Sequence, residues 1–145
     1  MIVIKPILLT LVVAVALSGC VQTQETAPKP MASVEPQFTF FPAGTASQNL
    51  PIFENIFVVT GAGKQGHELS DSVALLVETG FDLAAITHTP VNSKIGEPAD
   101  SVSLAIEFSG ECLIAQFSPT WLTVAVTEPT ASGCLIGDVE QASLE

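Results

Sequence analysis

Residues 56–66 read IFVVTGAGKQG, and two folds compete for them. Taken as a strand, Ile56 to Val59 runs into Gly61-Ala62-Gly63-Lys64-Gln65-Gly66, a literal G-x-G-x-x-G. That loop sets a dinucleotide pyrophosphate on the N-terminus of the helix that follows. Taken as the end of a helix, the same residues complete a stripe of Leu50, Phe53, Ile56 and Phe57 at spacings i, i+3, i+6 and i+7. The helical reading starts the helix near Ser47 as N-cap and needs Pro51 inside the first turn. It puts Asn49 and Glu54 on the solvent side.

The downstream sequence favours the helix. A dinucleotide site requires an acidic residue about 20 positions on to hold the ribose. Residues 86–88 are Ile-Thr-His instead. A P-loop requires glycine where Val58 stands and Ser or Thr where Gln65 stands. No cofactor is expected. The glycines then serve only to reverse the chain between two helix ends.

The second helix spans Glu68 to Thr79, with Leu69, Val73, Leu76 and Val77 on one face, acidic Glu68 and Asp71 in its first turn, and Gly80 as its stop. Beyond it the pattern changes to strands: Ala84 to Thr89, Ser101 to Phe108, Cys112 to Phe117, Trp121 to Thr127 and a short Cys134 to Val139. Ser109-Gly110 makes a tight turn, and Asn92 to Asp100 forms a polar loop. The expected class is α+β, two N-terminal helices packed on one face of an antiparallel sheet of about four strands.

The first 19 residues stand apart from this domain. Lys5 precedes an apolar run from Ile7 to Leu17, which closes on Leu17-Ser18-Gly19-Cys20. A basic start, a run of about 7–15 apolar residues and a small-residue cut site describe a signal peptide. The cysteine at the cut resembles a bacterial lipobox, which makes Cys20 the lipidated mature N-terminus. Two acyl chains suffice for stable anchoring, at ~0.8 kcal/mol for each buried methylene. Residues 20–37 carry Pro28, Pro30 and Pro36 without periodicity and read as the lipidated N-terminus and its flexible tether. Residues 38–145 form the domain.

After cleavage the chain keeps Lys29, Lys64 and Lys94 against 15 acidic residues, with no arginine. Nucleic acid is excluded as a partner, because neutralising phosphates takes clustered Lys and Arg. The membrane is held through the lipid alone. Cys112 and Cys134 form an even pair outside the cytoplasm and read as a disulfide, which contributes roughly 3 kcal/mol by loop closure.

Chemistry-bearing residues are sparse. His67 and Asp71 share a helix face, and His88 ends a strand, but neither follows a metal-ligand spacing, so no metal is expected. There is no G-x-S-x-G elbow, and paired cysteines supply no thiolate, so no catalytic residue is assigned. Glu107 and Glu111 flank a hairpin turn, where charge keeps the turn wet. Trp121 is the one aromatic residue singled out for binding, and the Asn92 to Ala99 loop is the other candidate.

The run Gly44 to Phe53, the helix end Gly80-Phe81-Asp82, Thr89-Pro90, Gly96 to Val102, Cys112-Leu113-Ile114 and Gly133-Cys134-Leu135-Ile136-Gly137 together resemble a family of uncharacterised actinobacterial secreted lipoproteins, a domain of unknown function. The resemblance covers residues 43–139. It implies that both cysteines belong to the shared pattern and that the protein sits on the outer face of the cell membrane, and it brings no activity. A non-enzymatic envelope interaction module, with an envelope protein or glycan as partner, is the leading expectation. An extracytoplasmic hydrolase acting on cell-wall material is the alternative, and it requires a cleft holding two carboxyls or a histidine beside a serine.

Overall fold

The computed structural model describes residues 38–144; the segments read as a signal peptide and a tether, and Cys20 between them, lie outside these residues. Two helices, α1 (Ala46–Val59) and α2 (Leu69–Thr79), precede five strands: β1 (Ile86–His88), β2 (Val102–Phe108), β3 (Glu111–Phe117), β4 (Leu122–Thr127) and β5 (Glu140–Gln141). All pairings are antiparallel, in the order β4-β3-β2-β1-β5. The architecture is α+β, with the helices on one sheet face.

Residues 56–66 are helix and turn. Gly61 has φ +88° and closes α1: its N–H donates to the Val58 carbonyl, and the Ala62 N–H to the Phe57 carbonyl at 2.8 Å. That bond pair is a Schellman ending, which needs a left-handed residue that glycine supplies without steric cost. Gly80 ends α2 the same way, with its own N–H on Val77 and that of Phe81 on Leu76. The first glycine of the apparent fingerprint therefore terminates a helix, where a phosphate loop would start one.

Gly63 and Gly66 are also left-handed, at φ +82° and +80°, but differ in surroundings. A Cβ on Gly63 would lie 3.0 Å from the Trp121 carbonyl carbon and 3.1 Å from the Leu122 nitrogen, whereas one on Gly66 would meet nothing within 4 Å. Gly63→Ala is expected to cost about 2 kcal/mol, and Gly66→Ala about 1 kcal/mol from backbone strain alone. Equal losses in urea unfolding would show that the approach of the turn to β4 is immaterial.

The start of α1 differs from expectation. Thr45, not Ser47, is the N-cap: its hydroxyl accepts from the Gln48 N–H while the Gln48 side chain accepts from the Thr45 N–H, a complete capping box. Pro51 consequently lies inside the helix. Its missing N–H leaves the carbonyl of Ser47, an exposed first-turn residue, without its helical partner, so the proline is tolerated. Asn49 is fully buried rather than solvent-facing. Its side chain accepts from the Phe41 N–H at 2.8 Å and donates to the Phe41 and Thr45 carbonyls at 2.9 and 3.0 Å.

Strand alternation sorts the two sheet faces. Ile86, Leu104, Ile106, Leu113, Ala115 and Phe117 point toward the helices and join Phe53, Ile56, Phe57, Val73 and Leu76 in one core. Phe40 closes one end of it, with ring centroids 4.6 Å from Phe81 and 6.0 Å from Phe108. The β2–β3 turn places Ser109 at φ +54° and Gly110 at φ +80°, the doubly left-handed geometry that matches strand twist.

Cys134 to Val139 is not a strand. Gly133 and Gly137 both have positive φ, and Ile136 is exposed, so the segment has neither the extended backbone nor the alternation a ladder needs. It belongs instead to the connection from β4, at one sheet edge, to β5, at the other. This strap crosses the face away from the helices and is pinned there by Cys112–Cys134, with Cα atoms 5.5 Å apart. Beneath it Cys112 and Ala105 are fully buried.

Candidate functional site

A depression of about 580 Å³ opens between the start of α2, the β1–β2 connection and the segment after β3. Five stretches distant in sequence meet here: 64–73, 88–92, 98–102, 117–119 and Ser143. Val73, Val102 and Phe117 are buried core residues that also line it, giving the cleft an apolar floor. Its polar lining includes Lys64, His67, Glu68, His88, Asn92, Ser101 and Ser118. An apolar floor with a few convergent polar groups is the usual composition of a ligand cleft.

The two histidines are held differently. His67 stands edge-on to Phe117, ring centroids 4.9 Å apart. Its Nδ1 lies 3.1 Å from the Thr60 carbonyl, and its Nε2 lies 3.5 Å from the Ser72 Oγ. Ser72 is itself 2.7 Å from the Thr60 Oγ1. Both ring nitrogens thus turn toward a network that ties the end of α1 to α2. His88, on β1, donates from Nδ1–H to the Thr89 carbonyl at 2.9 Å, with Glu140 Oε2 3.8 Å from the same nitrogen. A carbonyl only accepts, so Nδ1 carries a proton, and in the neutral ring Nε2 is the acceptor. Among the described residues Nε2 has no partner.

The β1–β2 connection is more ordered than a plain loop. Asn92 bridges Pro98, the Ser93 N–H donates to the Glu97 carbonyl, and the Ala99 N–H to the Val91 carbonyl. This narrow finger sets Asn92, Pro98 and Ala99 along the cleft. The candidate loop of residues 92–99 therefore contributes to the site.

Trp121 does not line the cleft. It is 42% exposed on the surface beside Gly63, its carbonyl accepting from the Ser118 N–H. Ser118 and Pro119, just before it, do line the cleft. Sequence reasoning missed Lys64, Ser101, Val102, Phe117 and Ser118 as site residues; only the histidines and the polar loop carried a signal.

Ser72, the serine near His67, is fully buried, and no serine lining the cleft is hydrogen-bonded to a histidine among the described residues. Glu68 is the one carboxylate lining the cleft. The second depression, about 470 Å³, lies under the strap and holds Asp82 and Glu107. Both are exposed, and Asp82 is engaged in capping the 3-10 turn at Leu83–Ala85 through the Ala84 N–H. No cluster of three or more His, Cys, Asp or Glu is placed to hold a metal ion among the described residues.

A family model described as a domain of unknown function (DUF6993) matches residues 59–138, more than half of the chain. The match takes in the glycine turn, α2, β1 to β4 and both disulfide cysteines, and so nearly all of the cleft. No curated protein and no solved structure matches the chain.

Proposed function

We propose, for a chain that belongs to the DUF6993 family, a role as a lipid-anchored, non-enzymatic binding module of the bacterial cell envelope. The cleft carries this reading: it is roomy, apolar-floored and lined by hydroxyls and histidines, yet each histidine Nδ1 is held on a backbone carbonyl and the one serine beside a histidine, Ser72, is fully buried away from the cleft. A hydrolase needs a base within hydrogen-bond reach of the group it activates. A binding site needs only shape and donors or acceptors in the right places.

Location rests on the Leu17-Ser18-Gly19-Cys20 box and the proline-bearing segment up to residue 37. Diacylated Cys20 would hold the domain at the outer face of the membrane, and the acidic surface would keep it off anionic headgroups. An envelope protein or glycan reaching into the cleft is the partner this arrangement suits.

Cys20→Ser removes the modified thiol and leaves the domain intact. The variant is expected to move almost entirely from the membrane pellet to the soluble fraction, with loss of metabolically incorporated palmitate. Retention in the pellet without label would show that another element holds the membrane. Release of product from purified wall material by the wild-type protein would replace the binding role with hydrolysis.

A further inference from the structure

Among the described residues the chain has two lysines and no arginine. Lys64 lines the cleft. Lys94 lies elsewhere, 3.3 Å from Asp138. Lys64 forms no ion pair among the described residues, in a chain whose formal charge is −11. In so acidic a protein, an ammonium at the cleft marks where an anion would meet the least repulsion.

We infer that the cleft takes a carboxylate that bears an apolar side chain and a neighbouring N–H, as at the C-terminus of a peptide or in an N-acylated amino acid. The inference rests on the reading of this domain as a binding module. Lys64 supplies the charge-assisted donor for the carboxylate. His88 contributes the Nε2 lone pair, because its Nδ1–H is committed to the Thr89 carbonyl, and that acceptor suits an amide N–H. Val102 and Phe117 form the floor for the side chain. Glu68 also lines the cleft, and its like charge would act against a ligand with a second negative group. A volume of about 580 Å³ accommodates one such residue with room for water.

The ligand would then be recognised by three separate features, each removable. With the full lipidated chain in detergent micelles, ligand-observed NMR titration compares N-acetyl-L-phenylalanine, its carboxamide, 3-phenylpropionate and a tripeptide ending in phenylalanine. The free acid is expected to bind at least about fivefold more tightly than the carboxamide, which lacks the charge, and than phenylpropionate, which lacks the N–H. Lys64→Gln should abolish the preference for acid over carboxamide. His88→Leu should abolish the preference over phenylpropionate, and His88→Gln, which keeps an acceptor, should retain part of it. Tighter binding of the tripeptide than of the acetylated residue identifies a peptide terminus as the source; the reverse identifies a free N-acyl amino acid.

Equal affinity for acid and carboxamide, or an unchanged preference in Lys64→Gln, overturns the assignment, as does absence of binding by every probe. None of these outcomes touches the anchored binding role, which the palmitate and fractionation experiment tests separately. Cleavage of an N-acetyl or amide bond during the titration would instead overturn the non-enzymatic reading.

Discussion

Replacing both Cys112 and Cys134 with alanine is expected to lower the unfolding free energy by about 3 kcal/mol. The bridge links residues 22 apart in sequence, so in the unfolded chain it removes the freedom of an appreciable loop. In the folded chain it holds the strap against the outer sheet face, where Cys112 is fully buried and Leu135 nearly so. The loss should be uneven. Strand β5 follows the strap and has only two residues paired with β1, so its amides and the Ala142 N–H on the Ile86 carbonyl should exchange faster than those of β2 and β3. Urea unfolding with hydrogen exchange measures both. A loss below 1 kcal/mol, or uniform acceleration of exchange across the sheet, would show that the strap is held by its packing without the bridge.

Asn49→Ala is expected to cost about 3 kcal/mol, although it removes only a small polar side chain. The three hydrogen bonds of Asn49 satisfy both the N–H and the carbonyl of Phe41, together with the Thr45 carbonyl. Alanine orphans the Phe41 N–H, at about 1–3 kcal/mol, and takes a second donor from the Phe41 and Thr45 carbonyls, which keep the N–H groups of Gly44 and of residue 49, at about 0.5–1.5 kcal/mol each. The damage should spread to Phe40, the next residue along, whose ring packs on Phe81 and Phe108 and lies over Gly80. Asn49→Ala and Phe40→Ala should therefore be strongly non-additive in a double-mutant cycle. Additive losses would mean that the Asn49 hydrogen bonds and the aromatic cluster are independent. Asn49→Asp keeps the acceptor for the Phe41 N–H but turns a buried carboxylate toward two carbonyl oxygens, so it should rescue nothing.

Helix ends were the most legible part of the sequence. A glycine after an apolar stripe reports a left-handed backbone position, and both Gly61 and Gly80 occupy one. The strands β2 to β4 were legible from alternation and from Ser109-Gly110, since side-chain period and turn chemistry are local properties. Asn49 was misread because its partner, Phe41, lies in a segment with no period, and polarity alone suggested solvent. Likewise the sequence suggests Ser47 as the cap, whereas Thr45 caps a helix in which Ser47 is the second residue, because a hydroxyl suits a cap wherever it falls near a helix start. The strap was misread as a strand because Cys134 to Val139 is short and rich in apolar residues, and its backbone is decided by the bridge and two left-handed glycines. Of the cleft, only isolated hints were visible: two histidines without motif spacing and a polar loop. Its floor is made of Val102 and Phe117, which in sequence look like any core position, and only the sheet register sets them side by side.

The crossing of the strap also sets an order of assembly. Strands β1 to β4 form a meander whose neighbours follow one another along the chain, whereas Thr87 meets Gln141 across nearly the whole sheet-forming half of the sequence. Local pairings form early, and a distant one must wait for the intervening chain to be arranged. The β1–β5 seam is thus the natural last step of folding. A crosslink from β3 into the strap shortens the search that step requires, because residues 135–141 then diffuse from a fixed point on the sheet rather than from the far edge. Oxidation would act on this chain as a pacemaker of its own completion.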